Sequence, residues 1–224
     1  MDRAIAEQII AAREARRPVA LVTLLASGAQ RLVTRGEDAG LGDAVSEAFR
    51  RDRSGAVDTA EGEAFIRVYN PPLRMLIIGA VHTAQFLAPL AASLGYDVTI
   101  IDPRGAFATD ERFPGVKLIA EWPDEVLPAL GLDARTGMVA LTHDPKIDDV
   151  ALRLALASEC FYIGALGSTR THAKRIDRLT AVGFDQSALA RIHAPIGLDI
   201  GAQGPAEIAL SIMGQVTAVL RGKA

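Results

Sequence analysis

The stretch Arg74-Met75-Leu76-Ile77-Ile78-Gly79-Ala80-Val81-His82-Thr83-Ala84 decides the fold of this 224-residue chain. An apolar run, Met75–Ile78, ends on a glycine, and helix-forming residues follow to about Leu94. A buried strand, a sharp glycine turn and a helix packing back open a βαβ unit. A second apolar stretch, Asp97–Ile101, runs into Asp102. That acid lies about 20 residues past the glycine, where a dinucleotide fold holds a ribose hydroxyl. The phosphate fingerprint G-x-G-x-x-G/A is met at Gly79 and Ala84, but its middle position is Val81. A branched side chain there obstructs the approach of a pyrophosphate to the backbone. The fold signal is therefore strong and the ordinary NAD signal is damaged.

Downstream of this unit the alternation stays regular. Strands are expected at Met75–Ile78, Asp97–Ile101, Val116–Ala120, Met138–Leu141 and Phe161–Ala165, and helices at His82–Leu94, Asp124–Leu130, Ile147–Ala157, Thr171–Val182 and Pro205–Leu220. Strands alternating with helices of this length predict an α/β fold, a doubly wound, Rossmann-like parallel sheet with right-handed crossovers. Upstream, an amphipathic helix over residues 2–16 is stopped by Pro18. A hairpin, Val19–Ala26 with Gln30–Thr34, a helix Leu41–Arg53 and two short strands near Ala56–Thr59 and Ala64–Tyr69 follow. Asn70-Pro71-Pro72 interrupts both periods as a linker. Residues 1–72 thus read as a small α+β appendage without chemistry-bearing motifs, and 73–224 as the cofactor-binding domain.

Composition narrows the class. Half the residues are hydrophobic and only 5% are aromatic, so the core is built from Ala, Leu, Ile and Val, as in parallel sheets. A net charge of −3 and no sustained basic stretch argue against a nucleic-acid partner. The first residues lack the pattern of a signal peptide, no apolar run reaches about 18 residues, and the single cysteine, Cys160, fits a reducing compartment. A cytoplasmic protein with no membrane partner is expected.

In a doubly wound sheet, ligands bind outside the carboxyl ends of the strands. After the first strand come Gly79 and His82; after the second, Asp102 and Arg104; after the fourth, Thr142, His143 and Asp144; after the fifth, Gly164, Gly167, Ser168, Arg170 and His172. Three of the four histidines fall at this rim. The fourth, His193, opens a glycine-punctuated loop that contains Asp199 and could fold back over it. Gly164–Ser168 offers unobstructed N–H groups before a helix, and Arg170 adds charge, a combination that favours a phosphate. Plainer roles compete: Ser168 and Asp144 as helix caps, Asp148 and Asp149 as first-turn acids, Cys160 as packing. No H-E-x-x-H or H-x-x-E-H spacing is present, so no metal site is assigned.

Taken together, the strand-end segments resemble one family. They are Gly79–Ala84, Asp102-Pro103-Arg104, Arg112-Phe113-Pro114-Gly115, Thr142-His143-Asp144-Pro145-Lys146, Tyr162–Ser168 with Thr171-His172, Pro195–Gly201 and Pro205–Ala209. In this order they resemble the Rossmann domain of the XdhC/CoxI family over residues 73–221. The resemblance implies an accessory protein for molybdenum hydroxylases such as xanthine dehydrogenase and CO dehydrogenase. Such a protein binds molybdenum cofactor (molybdopterin or its cytidine dinucleotide form), protects it during sulfuration and delivers it to the apo-enzyme. Partners implied are that apo-enzyme and the cofactor's sulfuration or nucleotidyl-transfer proteins; a homodimer is expected. The rim residues named above, Asp199 included, become the cofactor-binding set. The chain departs from the family at Val81, where many members have glycine. It also lacks the Gly-Ser-Pro-Arg-type and Gly-Gly-Cys segments of the family's other domain, for which residues 1–72 look like a shortened substitute.

A maturation chaperone needs no turnover, so no catalytic residue is assigned. The alternative is an NAD(P)-dependent oxidoreductase, which needs an acid–base group beside the hydride acceptor. His143 and Asp144 could serve, yet no Tyr-x-x-x-Lys pair exists: Tyr69, Tyr96 and Tyr162 are followed four residues on by Leu73, Ile100 and Leu166.

Overall fold

The computed structural model describes residues 2–37, 41 and 43–223, which form two units, Met1–Pro71 and Pro72–Ala224. The first unit runs α1 (Arg3–Glu14), β1 (Val19–Leu24), β2 (Gln30–Thr34), α2 (Asp43–Arg51), β3 (Gly55–Thr59) and β4 (Gly62–Tyr69). Its antiparallel sheet has the order β2-β1-β4-β3. Ala20, Val22, Ala64 and Ile66 from the central strands close its core against Val45 and Phe49 of α2. Asp2 caps α1 by accepting a hydrogen bond from the Ala4 N–H. Gly42, inside the helix expected over Leu41–Arg53, lies outside the described residues.

The second unit continues with β5 (Arg74–Ile78), α3 (His82–Ser93), β6 (Asp97–Ile101), β7 (Lys117–Ile119), α4 (Pro123–Leu130) and β8 (Thr136–Ala140). It ends with α5 (Pro145–Leu156), β9 (Tyr162–Ala165), α6 (Thr169–Ala181), α7 (Gln186–Leu189), β10 (Ile192–His193) and α8 (Pro205–Leu220). The sheet order is β10-β9-β8-β5-β6-β7, every pair parallel. All residues of β5, β8 and β9 are buried, as strands covered on both faces must be. One layer packs α3 and α8 on Met75, Ile77 and Val139; the other packs α4, α5 and α6 on Leu76, Ile78, Met138 and Ala140. The crossover direction therefore reverses between β5 and β8, the switch point of a doubly wound sheet.

Helix caps move two expected boundaries. Asp144 accepts from the Lys146 N–H, so α5 begins at Pro145 and not at Ile147. Ser168 accepts from the Thr171 N–H, so α6 begins at Thr169 and not at Thr171. The short β10 and α7 carry too few residues to show a period, and neither was expected. No described helix is long and apolar enough to cross a membrane.

Candidate functional site

Register defines the rim. Ile78 pairs with both Ile101 and Ala140, and Ala140 pairs with Ala165, so the chain leaves the sheet at one level on four adjacent strands. Gly79, Asp102, Leu141 and Leu166 are the first residues beyond it. Gly79 lies at φ +112, and a Cβ there would stand 2.6 Å from Thr142 Cγ2 and 3.2 Å from the Thr142 backbone nitrogen. Glycine thus lets the β5 and β8 turns touch across the switch point.

Asp102 is fully buried and its two oxygens accept four hydrogen bonds. Three come from Arg104, through its backbone N–H (2.9 Å), Nε (2.9 Å) and Nη2 (2.8 Å); the fourth comes from the Ala80 N–H (2.8 Å). This carboxylate holds the β5–α3 turn and the segment after β6 in place and presents no oxygen to a ribose. Burial, the largest single influence, pushes its pKa up, but the bonds from Arg104 and Ala80 outweigh it and leave the group below its ordinary 3.8. A depressed folded pKa adds stability above the ordinary value that is lost as pH falls through the folded one. We therefore expect Asp102→Asn to cost about 2 kcal/mol at neutral pH, the worth of its charge-assisted bonds. In urea titrations that gap closes as pH falls below 3.8; a gap independent of pH would contradict the assignment. Arg104 lies over the Phe107 ring (4.8 Å), and Arg112 donates to the carbonyls of Ala80 (2.9 Å) and Phe107 (2.6 Å). The segment after β6 is thereby fixed beside the rim.

On the β8 side the organiser is Asp148, in the first turn of α5 and 1% exposed. Its Oδ1 accepts from the Thr142 hydroxyl (2.7 Å) and N–H (3.2 Å), and its Oδ2 from the His143 N–H (2.9 Å). That last bond holds His143 in the left-handed region, φ +63, with its side chain exposed. A non-glycine residue there is strained by about 1–3 kcal/mol, which the surrounding bonds offset. Burial pushes the Asp148 pKa up against the pull of these bonds, so its contribution to stability is largest below its ordinary 3.8 and declines as pH rises through the folded value. Of the two rim carboxylates, only Asp102 sharpens acid unfolding.

The remaining residues divide. His82 is exposed at the start of α3, its ring 5.5 Å from Phe86. Gly167, at φ +136, makes the turn into α6 within reach of His143: a Cβ would stand 3.8 Å from Nδ1 of that ring. Ser168 caps the helix and Arg170 is exposed on its first turn. His172 is half-buried; burial first and then Arg175 lower its pKa, and its Nδ1 has no partner among the described residues. Gly164 is not in a phosphate loop: it lies buried inside β9, where a Cβ would strike Ile196 Cδ1 at 2.4 Å. His193 is a strand residue level with Gly164 and stacked on Tyr162 (4.9 Å), so it does not fold over the rim. The following segment is clamped by Gln215, which accepts from the Tyr162 hydroxyl (2.6 Å) and the Gly197 N–H (2.9 Å). Asp199 beyond it is exposed, with no hydrogen bond or ion pair among the described residues. Cys160 is buried in the core. No group of His, Cys, Asp or Glu among the described residues is arranged to hold a metal ion.

Arg112 and Arg175 shape the rim but stand outside the expected set, and Asp148, weighed as a first-turn acid, turns out to tie the β8 turn. Arg175 did carry a signal, four residues before Leu179 on the inward face of α6, where both are buried.

A parallel sheet whose strand-end turns are tied at the switch point by buried carboxylates, with cations and an exposed histidine at that rim, defines a Rossmann domain. The sequence profile of the XdhC Rossmann domain matches residues 75–216. The chain belongs to the XdhC family. It is 33% identical over 153 residues to a probable xanthine dehydrogenase subunit from Bacillus subtilis, covering 68% of this chain and 44% of that protein. It is 31% identical over 151 residues to the molybdenum cofactor insertion chaperone PaoD of Escherichia coli, covering 67% and 41% respectively. The chain thus spans less than half the length of these relatives. A crystal structure described as a xanthine dehydrogenase from Bacillus halodurans superimposes with a TM-score of 0.68 at 24% identity, over 99% of this chain and 65% of that one, a likeness of fold.

Proposed function

We propose that this chain binds molybdenum cofactor at the rim of its parallel sheet, shields it, and delivers it to a molybdenum hydroxylase of the xanthine dehydrogenase or CO dehydrogenase type. The observation that carries this reading is the β8 turn: Asp148 immobilises Thr142 and His143 and leaves the His143 side chain exposed beside the start of α6. The relationship to a protein named as a molybdenum cofactor insertion chaperone supports the same reading. The donors and acceptors fit such a cargo. His143, Arg104 and His82 supply donors toward oxo or sulfido oxygen and sulfur; Asp144 and Asp199 supply acceptors toward pterin N–H groups; the start of α6, from Gly167 to Arg170, suits the cofactor's phosphate. The cargo brings the molybdenum centre; the chain's own residues bind it and keep it from water. The proteins that sulfurate the cofactor or transfer a nucleotide to it are the partners this role implies, in the cytoplasm and with the chain as a homodimer.

The oxidoreductase reading finds no support at Asp102, whose oxygens are already taken by Arg104 and Ala80. The test is retention. Purified chain is incubated with isolated cofactor, freed of unbound ligand, and assayed for molybdenum and for oxidised-pterin fluorescence, with NADH and ATP in parallel. Stoichiometric molybdenum and pterin are expected, falling at least about tenfold in a His143→Ala/Asp144→Ala variant as charge-assisted contacts are lost. Retention of NADH without pterin would overturn the proposal.

A further inference from the structure

We infer that the hollow between α5 and α6 is a phosphate-binding site with the buried guanidinium of Arg175 in its wall. The cavity has a volume of about 270 Å³ and is lined by Arg170, Thr171, Lys174, Arg175 and Arg178 from α6 and by His143, Asp148 and Asp149 from the β8 turn and α5. Arg175 is 1% exposed. Its Nη2 donates to the Leu166 carbonyl at 3.0 Å, while Nε and Nη1 are buried and have no hydrogen-bond partner among the described residues. Folded proteins rarely bury a cation with open donors, because desolvation is repaid only by acceptors in good geometry.

The neighbouring carboxylates are committed elsewhere. Asp148 accepts from Thr142 and His143 through both its oxygens, and Asp149 accepts from Arg178 through both of its own. They act on Arg175 at longer range, which only partly offsets the burial that lowers its pKa. No protein acceptor reaches these two donors, and we assign them to the oxygens of a bound phosphate. The lining holds four cations against two carboxylates, so the charge left over suits a dianion. A guanidinium offers paired N–H donors that match the spacing of phosphate oxygens. The first turn of α6, bearing Arg170 and Thr171, forms part of the wall; the Thr171 N–H is taken by the Ser168 cap, and the positive end of the helix dipole favours an anion there. Arg170 and Lys174 are exposed and would draw the anion in. Which molecule bears the phosphate rests on the cofactor reading; the site itself does not.

Inorganic phosphate is the probe, titrated calorimetrically into the full chain in a buffer free of oxyanions. Wild type is expected to bind it saturably with one site and to melt at a higher temperature in its presence. Arg175→Met, which replaces the charge with a flexible apolar chain, is expected to fold and to abolish both effects. The exposed pair Arg170→Ala/Lys174→Ala is expected to weaken binding about tenfold, through lost charge-assisted contacts. Absence of saturable binding in wild type, or equal binding in Arg175→Met, would overturn the site. Should Arg175→Met fail to fold, unchanged affinity in the Arg170→Ala/Lys174→Ala variant would overturn it instead. Phosphate binding without cofactor retention upholds the site and removes the cofactor as bearer; mutual displacement of phosphate and cofactor upholds both.

Discussion

Gly79→Ala is expected to destabilise the second unit by about 4 kcal/mol, combining overpacking with an unfavourable backbone conformation. Two independent penalties add at this position. Its φ of +112 is one that L side chains rarely adopt, and the new methyl would lie 2.6 Å from Thr142 Cγ2 and 3.2 Å from the Thr142 backbone nitrogen. Thr142 has no freedom to retreat, because its hydroxyl donates to Asp148 and accepts from the Asp144 N–H while its backbone N–H also goes to Asp148. Urea denaturation should show a large fall in midpoint with an unchanged m-value. Thr142→Ser in the same chain removes the Cγ2 collision and keeps the hydroxyl. The double variant should therefore recover part of the loss, and the unrecovered part measures the backbone penalty. A loss below about 1 kcal/mol for Gly79→Ala would mean that the two turns can separate cheaply, contrary to the usual cost of overpacking.

Asp148→Ala is the second change expected to be severe, at about 4 kcal/mol, since two backbone N–H groups and a hydroxyl lose their buried acceptor together. The same substitution releases His143 from the bond that holds it at φ +63, so the loop should relax toward ordinary backbone geometry. Stability and ligand retention should then fall together. Hydrogen exchange at the Thr142 and His143 amides, expected to be protected in wild type by their bonds to Asp148, reports the release directly. If these amides remained protected in the variant, Asp148 would not be the organiser of the rim. Truncating Asp144, which bonds only the first turn of its own helix, should cost about 1 kcal/mol, the usual worth of a helix cap.

Some of this was legible in the chain itself. A parallel sheet buried on both faces leaves continuous apolar runs, and glycine and proline punctuate them, so β5, β6, β8 and β9 and their helices could be placed to within about two residues at each end. The rim followed from topology, because every chemistry-bearing segment succeeds a strand. Gly164 was counted with the loop after β9 although the expected strand Phe161–Ala165 already contains it, and His193 was misread because a strand as short as Ile192–His193 leaves no periodic trace. Without the β9–β10 pairing, His193 looks like a free ligand. In fact the glycine makes room for Ile196 and the imidazole stacks on Tyr162.

Sequence by itself determined the fold and the polarity of the sheet, since these depend on local pattern and on the order of segments. Tertiary structure alone decided how the rim residues are spent. Asp102 and Asp148 carry the same carboxylate, yet one is saturated by Arg104 and Ala80 and the other by Thr142 and His143. Arg175 stands among charged neighbours in the chain but enters the interior with donors unmet. Hydrogen-bond satisfaction is a property of atoms brought together across the sheet rim, and no local pattern records it.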